Sequence, residues 1–331
     1  MKRPFFSVCL PVFNGEKFIK RAVESVESQL FNDWELIIYN NGSKDKTADI
    51  LRAFENNDKI KILDEETQQS TAIPAWHKVM AMAKGEFILM LGFDDWFEKD
   101  FMNDSKHIID EHNLDVLSGS TLAYNPEEIL TDMVTSSSFM EAIPNKEKRE
   151  GVYIFNGVDF IRGFLKDFEQ GFSKMHLSST WIRKELYEKV GGFNINLKYC
   201  AEAELYLKLA NLNPRFGFNI DNLKVYTTGE GEYRRAFYLP FAKRYHDFYK
   251  IVSIMSEEDM INSDEYNHCI SMINRDAVNQ GIGYSMFDAM KNIITYTPQR
   301  KLYWLLLLIL VGFWTRMRQI IDGSIRRVFF R

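Results

Sequence analysis

The chain has 331 residues, of which 46% are hydrophobic and 26% are charged, so it can build a sizeable core and is not intrinsically disordered. Its formal net charge of −5 argues against general nucleic-acid binding, and no nucleic-acid partner is predicted. The three cysteines lie far apart, which predicts neither a disulfide framework nor a cysteine-based zinc site.

Short apolar runs alternate with helix-forming patterns in the first part of the chain. The runs predict strands at 6–13, 34–39, 59–63, 86–91 and 115–117. The patterns between them predict helices at 16–29, 45–55, 75–84 and 100–112, the third ending at Gly85 as a helix cap. Such alternation indicates βαβ units and a largely parallel sheet.

The pattern loosens after Ala123. Prolines, a serine run and a charge cluster predict a connection or insertion over 124–151. Helices are predicted at 184–190, ending at Gly191-Gly192, and at 202–211, and residues 234–298 read as mostly helical.

Polar residues follow three of the predicted strands. The first strand runs into Pro11 to Gly15, the second into Asn40 to Ser43, and the fourth into Asp94-Asp95. Ligands of open parallel sheets bind beyond the carboxyl ends of the strands, so these segments predict one crevice. Adjacent carboxylates there can hold Mg²⁺ or Mn²⁺ together with phosphate oxygens. The alternative is that Asp94-Asp95 is a solvated turn or an acidic helix start.

Several short motifs, in order and spacing, resemble glycosyltransferase family 2. They lie at 7–16, 35–47, 75–88, 94–95, 190–193 and 202–209, so the resemblance covers roughly residues 5–210. It implies the GT-A fold, an α/β fold with a Rossmann-like nucleotide-binding region and a mostly parallel central sheet flanked by helices. It further implies an inverting sugar transfer from a nucleotide-sugar donor, expected to be UDP-linked, with Mn²⁺ or Mg²⁺.

The resemblance also assigns roles at the donor site. Asp95 is the expected metal ligand, and Asp94 lies beside the ribose and the metal; the family often has a further Asp at the position of Gly92. The residues expected to bind the nucleotide sugar are Pro11, Val12, Phe13, Asn14, Glu16, Asn40, Asn41, His77, Asp94 and Asp95.

Some of these assignments keep alternatives. The family usually has Asp at positions 40 and 41, the second accepting a hydrogen bond from uracil N3–H, and an uncharged Asn makes that bond weaker. Asn-Asn-Gly-Ser is also turn chemistry, with Ser43 as a helix cap. Phe13 packs on the base or belongs to the core, and His77 approaches the donor or is structural.

An inverting transfer needs a base that deprotonates the acceptor hydroxyl, and a carboxylate is the usual choice. Matching 205–209 to the family's acceptor-side signature puts Glu202 at the position of the family's basic Asp, with Glu204 as the second candidate. The alternative is that both are ordinary acids of a first helical turn.

The last 33 residues form a basic, apolar tail. Residues 299–331 carry seven basic residues against one acidic residue, a net charge of +6, which leaves −11 on the rest of the chain. The apolar run 302–314 makes a helix of about 20 Å, too short for a bilayer core of about 30 Å. Basic and aromatic residues flank it, which favours an amphipathic helix on an anionic membrane surface; a buried helix or a dimer contact is the alternative.

These observations predict a domain organisation and a location. A GT-A catalytic domain spans 1–230, with a nucleotide-sugar half at 1–123 and an acceptor half at 124–230, followed by a helical extension at 231–298 and the tail at 299–331. The enzyme is expected in the cytoplasm, attached peripherally to the inner face of the cell membrane, acting in polysaccharide biosynthesis on a glycan or lipid-linked glycan.

Two other functions compete with this prediction. A nucleotidyltransferase would carry a Gly-rich basic phosphate loop after the first strand, and residues 11–17 lack one. A catalytically impaired nucleotide-sugar-binding protein is kept open by Gly92, Asn40 and Asn41.

Overall fold

A computed structural model describes residues 3–68, 72–124, 130–133, 137–166, 175–221, 223–228 and 241–279. The chain divides into two compact units, Met1–Tyr238 and Leu239–Arg331. The strands of the first unit are β1 (Phe6–Val12), β2 (Trp34–Asn40), β3 (Ile60–Asp64), β4 (Phe87–Met90), β5 (Asp95–Phe97), β6 (Val116–Ser118), β7 (Ser120–Tyr124), β8 (Leu130–Met133), β9 (Glu147–Arg149), β10 (Val152–Asn156), β11 (Thr180–Arg183), β12 (Arg215–Asn219) and β13 (Lys224–Thr227). Its α-helices are α1 (Ile19–Glu27), α2 (Thr47–Leu51), α3 (Ala72–Ala81), α4 (Phe101–His112), α5 (Ser137–Ala142), α6 (Gly157–Lys166), α7 (Lys184–Lys189) and α8 (Ala201–Asn211).

The large sheet has the strand order β3-β2-β1-β4-β11-β6-β12-β10-β9. Its first four strands pair in parallel, and β1 and β2 are buried along their whole length because helices cover both faces. The prediction of a mostly parallel sheet therefore holds for this half. Beyond β4 the pairing is mixed, since β11 runs antiparallel to both β4 and β6. A second sheet has the order β5-β13-β7-β8.

The helices α1, α2 and α3 differ from the predicted bounds, and the start of α1 and the end of α3 have structural reasons. Residues 16–18 form a turn, so α1 begins only at Ile19, and its amide donates to the Gly15 carbonyl at 2.9 Å. Helix α3 ends at Ala81, and Gly85 is not its cap. The Gly85 amide donates instead to Ser7 Oγ at 2.7 Å, and a Cβ at Gly85 would lie 2.6 Å from the Ser7 nitrogen. This glycine permits a close backbone approach.

The core of the first unit packs around Trp181 of β11. Its ring stacks on Phe6 at 4.0 Å and on Phe101 of α4 at 6.1 Å, and its Nε1 donates to Ser105 Oγ at 3.0 Å. Satisfying the indole N–H lets this large side chain be fully buried. Strand β11 thereby fixes the turn that precedes it, which carries site residues.

The segment 124–151, predicted as a connection, contains ordered elements. Residues 130–133 form β8, 137–142 form α5, and β9 and β10 make a hairpin. The hairpin turns at Glu150 (φ 47°) and Gly151 (φ 83°), the two positive φ values that a tight type I′ turn requires. Glu-Gly is a weaker turn signal than Asn-Gly, so the sequence pattern did not predict this hairpin.

The described part of the second unit consists of two α-helices, Phe241–Glu257 and Ser263–Asn279, which contact each other. They agree with the predicted helical character of this region. Among the residues that the structure describes, no helix has the length and apolar character needed to cross a membrane. The basic tail at 299–331 lies outside the described residues.

Candidate functional site

The carboxyl ends of the first four strands meet at one edge of the large sheet. In the parallel register Val12 lies opposite Asn40, and Asn40 lies opposite Asp64. The Leu91 amide donates to the Cys9 carbonyl at 2.9 Å, which carries the pairing one residue past β4. The segments after β1, β2, β3 and β4 therefore start side by side, and the sequence predicted this for the first, second and fourth strands.

Reciprocal hydrogen bonds tie the loop after β1 to the loop after β2. The Asn14 amide donates to Ser43 Oγ at 2.9 Å, and the Lys44 amide donates back to Asn14 Oδ1 at 2.8 Å. Asn14 adopts φ 52°, a conformation that Asn tolerates better than most residues. Its side chain is thus held between the two loops. We call these two segments, residues 13–18 and 41–47, the loop clasp.

The loop clasp continues over the next residues. The Gly15 amide donates to Thr47 Oγ1 at 2.8 Å. The Glu16 amide donates to Asp45 Oδ2 at 3.0 Å, and the Lys46 amide donates to Glu16 Oε2 at 3.0 Å. Asn14 and Glu16, which were predicted to bind the donor, therefore hold the two loops together through these hydrogen bonds.

Asp45 is the acid of the loop clasp whose pKa is shifted. Although burial acts to raise it, the pKa of this carboxyl is lowered overall, because the Thr47 hydroxyl and the Glu16 and Thr47 amides donate hydrogen bonds to it. These bonds favour the ionised form. The hydrogen bonds of the loop clasp therefore stabilise the ionised carboxylate of Asp45.

Asn40 and Asn41 occupy different environments. Asn40 Nδ2 donates to Asp64 Oδ1 at 2.7 Å, and Asn40 Oδ1 accepts from the Ser43 amide at 3.2 Å. A carboxylate at position 40 would face the Asp64 carboxylate, which accounts for the amide there. Asn41 is buried, and its backbone amide donates to the Val12 carbonyl at 2.9 Å.

The other first-strand residues divide between core and edge. Pro11 and Val12 are buried, and Val12 packs within the hydrophobic core. Phe13 is half-buried where β1 ends. A Cβ at Gly15 would lie 2.9 Å from the ring of Phe93, so the loop after β1 touches the segment that leads to the acid pair.

The acid pair lies where β4 turns into β5. Asp94 is half-buried and Asp95 is only 4% exposed. Asp95 Oδ2 accepts a hydrogen bond from Ser178 Oγ, and the same hydroxyl accepts a bond from the Gly92 amide at 2.9 Å. Ser178 belongs to the 3₁₀ turn Leu177–Ser179 just before β11, and β11 pairs with β4.

The chemistry of this pair fits a hard cation. Within the described ranges no three His, Cys, Asp or Glu side chains cluster as metal ligands, and the acid pair offers two adjacent carboxylates. Mg²⁺ and similar ions commonly take one or two carboxylates and complete their shell with phosphate oxygens and water. Asp94 and Asp95 are therefore the residues that would hold such an ion together with a diphosphate.

His77 of α3 lies beside the Gly191-Gly192 turn. A Cβ at Gly192 would lie 3.0 Å from His77 Nδ1, and Gly192 has φ 66°, so glycine suits this position on both counts. His77 Nδ1 is buried with no hydrogen-bond partner in the described part of the chain. The structure thus places His77 against the turn that leads toward α8.

The two candidate bases lie on α8, in different surroundings. Glu204 is 2% exposed, and its Oε1 lies 3.4 Å from both Lys208 Nζ and Asn194 Nδ2. Lys208 Nζ also donates to the Gly192 carbonyl at 3.0 Å. Glu202 is 7% exposed and lies near the hydroxyl of Tyr206. Burial, with the Glu202 carboxylate nearby, raises the pKa of Tyr206, so this phenol stays neutral.

One turn connects the acid pair with the helix of the candidate bases. Ser178 contacts Asp95, and two residues later the Thr180 hydroxyl lies near Tyr206 of α8, where it acts to lower the pKa of that phenol against the effect of burial. Neither Ser178 nor Thr180 was predicted from the sequence, because a Ser-Ser-Thr run before a strand is not a recognisable motif. Only the pairing of β11 beside β4 brings them to the site.

The parallel first half of the large sheet and the acid pair after β4 lie where the resemblance to glycosyltransferases placed them. The family described as glycosyl transferase family 2 matches residues 7–172, half of the chain, and the chain belongs to this family. The predicted membership of glycosyltransferase family 2 is confirmed.

Curated relatives agree with this assignment. The chain is 27% identical over 266 residues to the poly(ribitol-phosphate) β-N-acetylglucosaminyltransferase TarS of Staphylococcus aureus, covering 78% of this chain and 41% of TarS. It is 26% identical to the glycosyltransferase GlyG of Streptococcus pneumoniae, covering 69% and 72% of the two chains. The chain thus matches less than half of the length of TarS.

Solved structures show the same fold. Residues 1–349 of S. aureus TarS in complex with UDP-GlcNAc superpose with a TM-score of 0.63 at 20% identity, covering 88% of this chain and 80% of that one. The mannosyltransferase PcManGT of Pyrobaculum calidifontis, in complex with GDP-Man and Mn²⁺, gives 0.53 at 14% identity, covering 99% and 88%. The GT-A prediction is confirmed.

Proposed function

We propose that this protein is an inverting glycosyltransferase that moves a sugar from a UDP-linked donor to a hydroxyl of a glycan or lipid-linked glycan, with a divalent cation and a carboxylate base. The observation that carries the proposal is the Ser178–Thr180 segment, which touches both the acid pair and α8. It links a diphosphate-binding element to a helix with two buried carboxylates.

The donor half is residues 1–123, where Asn41 and the end of β1 face the base and Asp94 faces the ribose. A uridine nucleotide is favoured because TarS, the better superposition, is solved with UDP-GlcNAc, whereas PcManGT is solved with GDP-Man. Asn41 Oδ1 is an acceptor of the kind that uracil N3–H requires.

Asp95 and Asp94 would hold Mn²⁺ or Mg²⁺. When bound, the cation neutralises the negative charge that builds up on the leaving diphosphate. The protein itself keeps the Asp95 carboxylate in a fixed position and orients the donor through the loop clasp.

Glu202 is the proposed base. Its carboxylate takes the proton of the acceptor hydroxyl while that oxygen attacks the anomeric carbon from the face opposite the diphosphate, which inverts the configuration. Glu204 is less suited because the charge of Lys208 already compensates it at 3.4 Å. A compensated carboxylate holds a proton less readily.

The remaining regions complete the proposal. Residues 124–230 form the acceptor half, 231–298 a helical extension, and 299–331 an amphipathic segment that attaches the enzyme peripherally to the cytoplasmic face of the membrane. The proposal of a lipid-linked acceptor in polysaccharide biosynthesis rests on that location.

A panel of nucleotide sugars tests the donor and the metal together. The melting temperature of the full chain is measured with UDP-GlcNAc, other UDP-sugars and GDP-mannose, each with Mn²⁺, with Mg²⁺ and with chelator. We expect UDP-sugars to raise it only when a cation is present, because ligand binding to the native state stabilises it. Stabilisation by GDP-mannose alone, or by no nucleotide sugar, contradicts the proposal.

A further inference from the structure

The carboxylate of Asp95 lies next to Gly92, at the start of the turn that Asp95 itself closes. The Asp95 amide donates to the Gly92 carbonyl at 3.0 Å and closes a tight turn, and the side chain is 4% exposed. One of its oxygens is bonded to Ser178, 83 positions later in the chain. The orientation of this acid therefore depends on a residue outside the acidic motif.

Only glycine at position 92 allows this arrangement. A Cβ there would lie 2.6 Å from Asp95 Oδ2 and 3.3 Å from Asp94 Oδ1. The first distance is shorter than any stable contact of a carbon with a carboxylate oxygen. The requirement is for space, since Gly92 does not have a left-handed backbone. The Asp95 carboxylate occupies the volume that a side chain at position 92 would take.

Ser178 binds both parts of this turn with one hydroxyl. It accepts from the Gly92 amide at 2.9 Å and donates to Asp95 Oδ2. It is 2% exposed, so its position is set by the 3₁₀ turn and by β11. The adjacent Ser179 is equally buried, but its hydroxyl donates to the carbonyls of Gly119 and His176.

We propose that Ser178 is the positioning residue for Asp95, and that Gly92 and Ser178 together hold this carboxylate where a cation and a diphosphate meet it. Binding one oxygen to Ser178 fixes the rotation of the carboxylate and directs the other oxygen. The inference rests on the proposed metal role of Asp95. Residues that orient a metal ligand through hydrogen bonds typically contribute 10–100-fold to metal affinity.

The test measures Mn²⁺ affinity by calorimetry in saturating UDP, and UDP affinity in chelator, for the full chain. Ser178→Ala should weaken Mn²⁺ binding by about 10–100-fold and leave UDP affinity in chelator unchanged. Ser179→Ala is the matched control, because it removes an equally buried hydroxyl from the same turn without touching Asp95. Ser178→Thr, which keeps the hydroxyl, should restore most of the affinity.

Gly92→Ala is a second, independent test of whether the position of Asp95 determines Mn²⁺ affinity. Its methyl group displaces the Asp95 carboxylate, while Ser178 is unchanged. It should weaken Mn²⁺ binding by a similar factor. If Ser178→Ala does not fold, this variant still tests whether Mn²⁺ affinity depends on where the Asp95 carboxylate is held. Equal Mn²⁺ affinity of Ser178→Ala and Ser179→Ala, or of Gly92→Ala and wild type, overturns the role of Ser178. If wild type binds UDP without any effect of Mn²⁺, the proposed metal role itself is wrong.

Discussion

The different surroundings of Glu202 and Glu204 predict opposite consequences of the same substitution. Glu202→Gln keeps the size of the side chain and removes the proton acceptor, so turnover should fall by about 10²–10⁴-fold. This corresponds to about 2.7–5.4 kcal/mol of activation free energy. The melting temperature and the donor affinity should stay close to wild type, because the amide fills the same space in α8.

Glu204→Gln is the matched control two residues later. It removes the charge that lies 3.4 Å from Lys208, whose side chain is 15% exposed. Lys208 keeps its bond to the Gly192 carbonyl, so we estimate a loss of about 1–3 kcal/mol of unfolding free energy. The melting temperature should drop by about 2–4 °C per kcal/mol while turnover changes far less.

The assay is UDP release from the UDP-sugar that the donor panel identifies, with kcat and donor affinity determined separately and melting followed by circular dichroism. Substitution of a catalytic base lowers kcat, whereas substitution of a structural residue lowers the melting temperature. If Glu204→Gln abolishes turnover with normal melting while Glu202→Gln is active, the base is Glu204 and the role assigned to the Lys208 pair is wrong.

Two further predictions concern the loop clasp and the tail. Because the folded pKa of Asp45 is depressed, its contribution to stability is present above the unfolded value of about 3.9 and is lost as the pH falls through the folded value. Asp45→Asn should therefore lower the urea midpoint at pH 7 and lose this difference in more acidic buffer; a constant difference contradicts it. Residues 299–331 should bind the full chain to anionic vesicles in low salt, by about 1 kcal/mol per basic residue near the surface. Truncation at residue 298 should abolish sedimentation with vesicles, and unchanged sedimentation or an unfolded catalytic domain contradicts that role.

Local patterns were sufficient for the strands β1 to β4 and failed where the structure depends on pairings between distant segments. The alternation of apolar runs and helical faces predicted β1 to β4 within two residues of each boundary, because each element is determined by its own sequence. The reversal of β11 beside β4, and with it Ser178, has no local signal. The hairpin at Glu150-Gly151 was missed because it depends on two positive φ values without the usual Asn-Gly.

The departures from the family pattern at positions 40 and 92 have a common physical explanation. At each position an acid of the family is absent, and another acid occupies the neighbouring space: Asp64 bonds to Asn40, and Asp95 fills the volume above Gly92. The departures that suggested a catalytically impaired protein are equally compatible with an intact site.

This explanation makes a prediction at position 40. Asn40→Asp places a carboxylate against Asp64 and removes a hydrogen bond to a charged group, which should cost about 1.5–3 kcal/mol of unfolding free energy. The double variant Asn40→Asp with Asp64→Asn reverses the donor and acceptor of the 2.7 Å contact and should recover most of that loss. A double-mutant cycle by urea unfolding, with Asp64→Asn alone as the fourth corner, measures the coupling. Additive effects of the two substitutions would show that the Asn40–Asp64 pair does not account for the amide at this position.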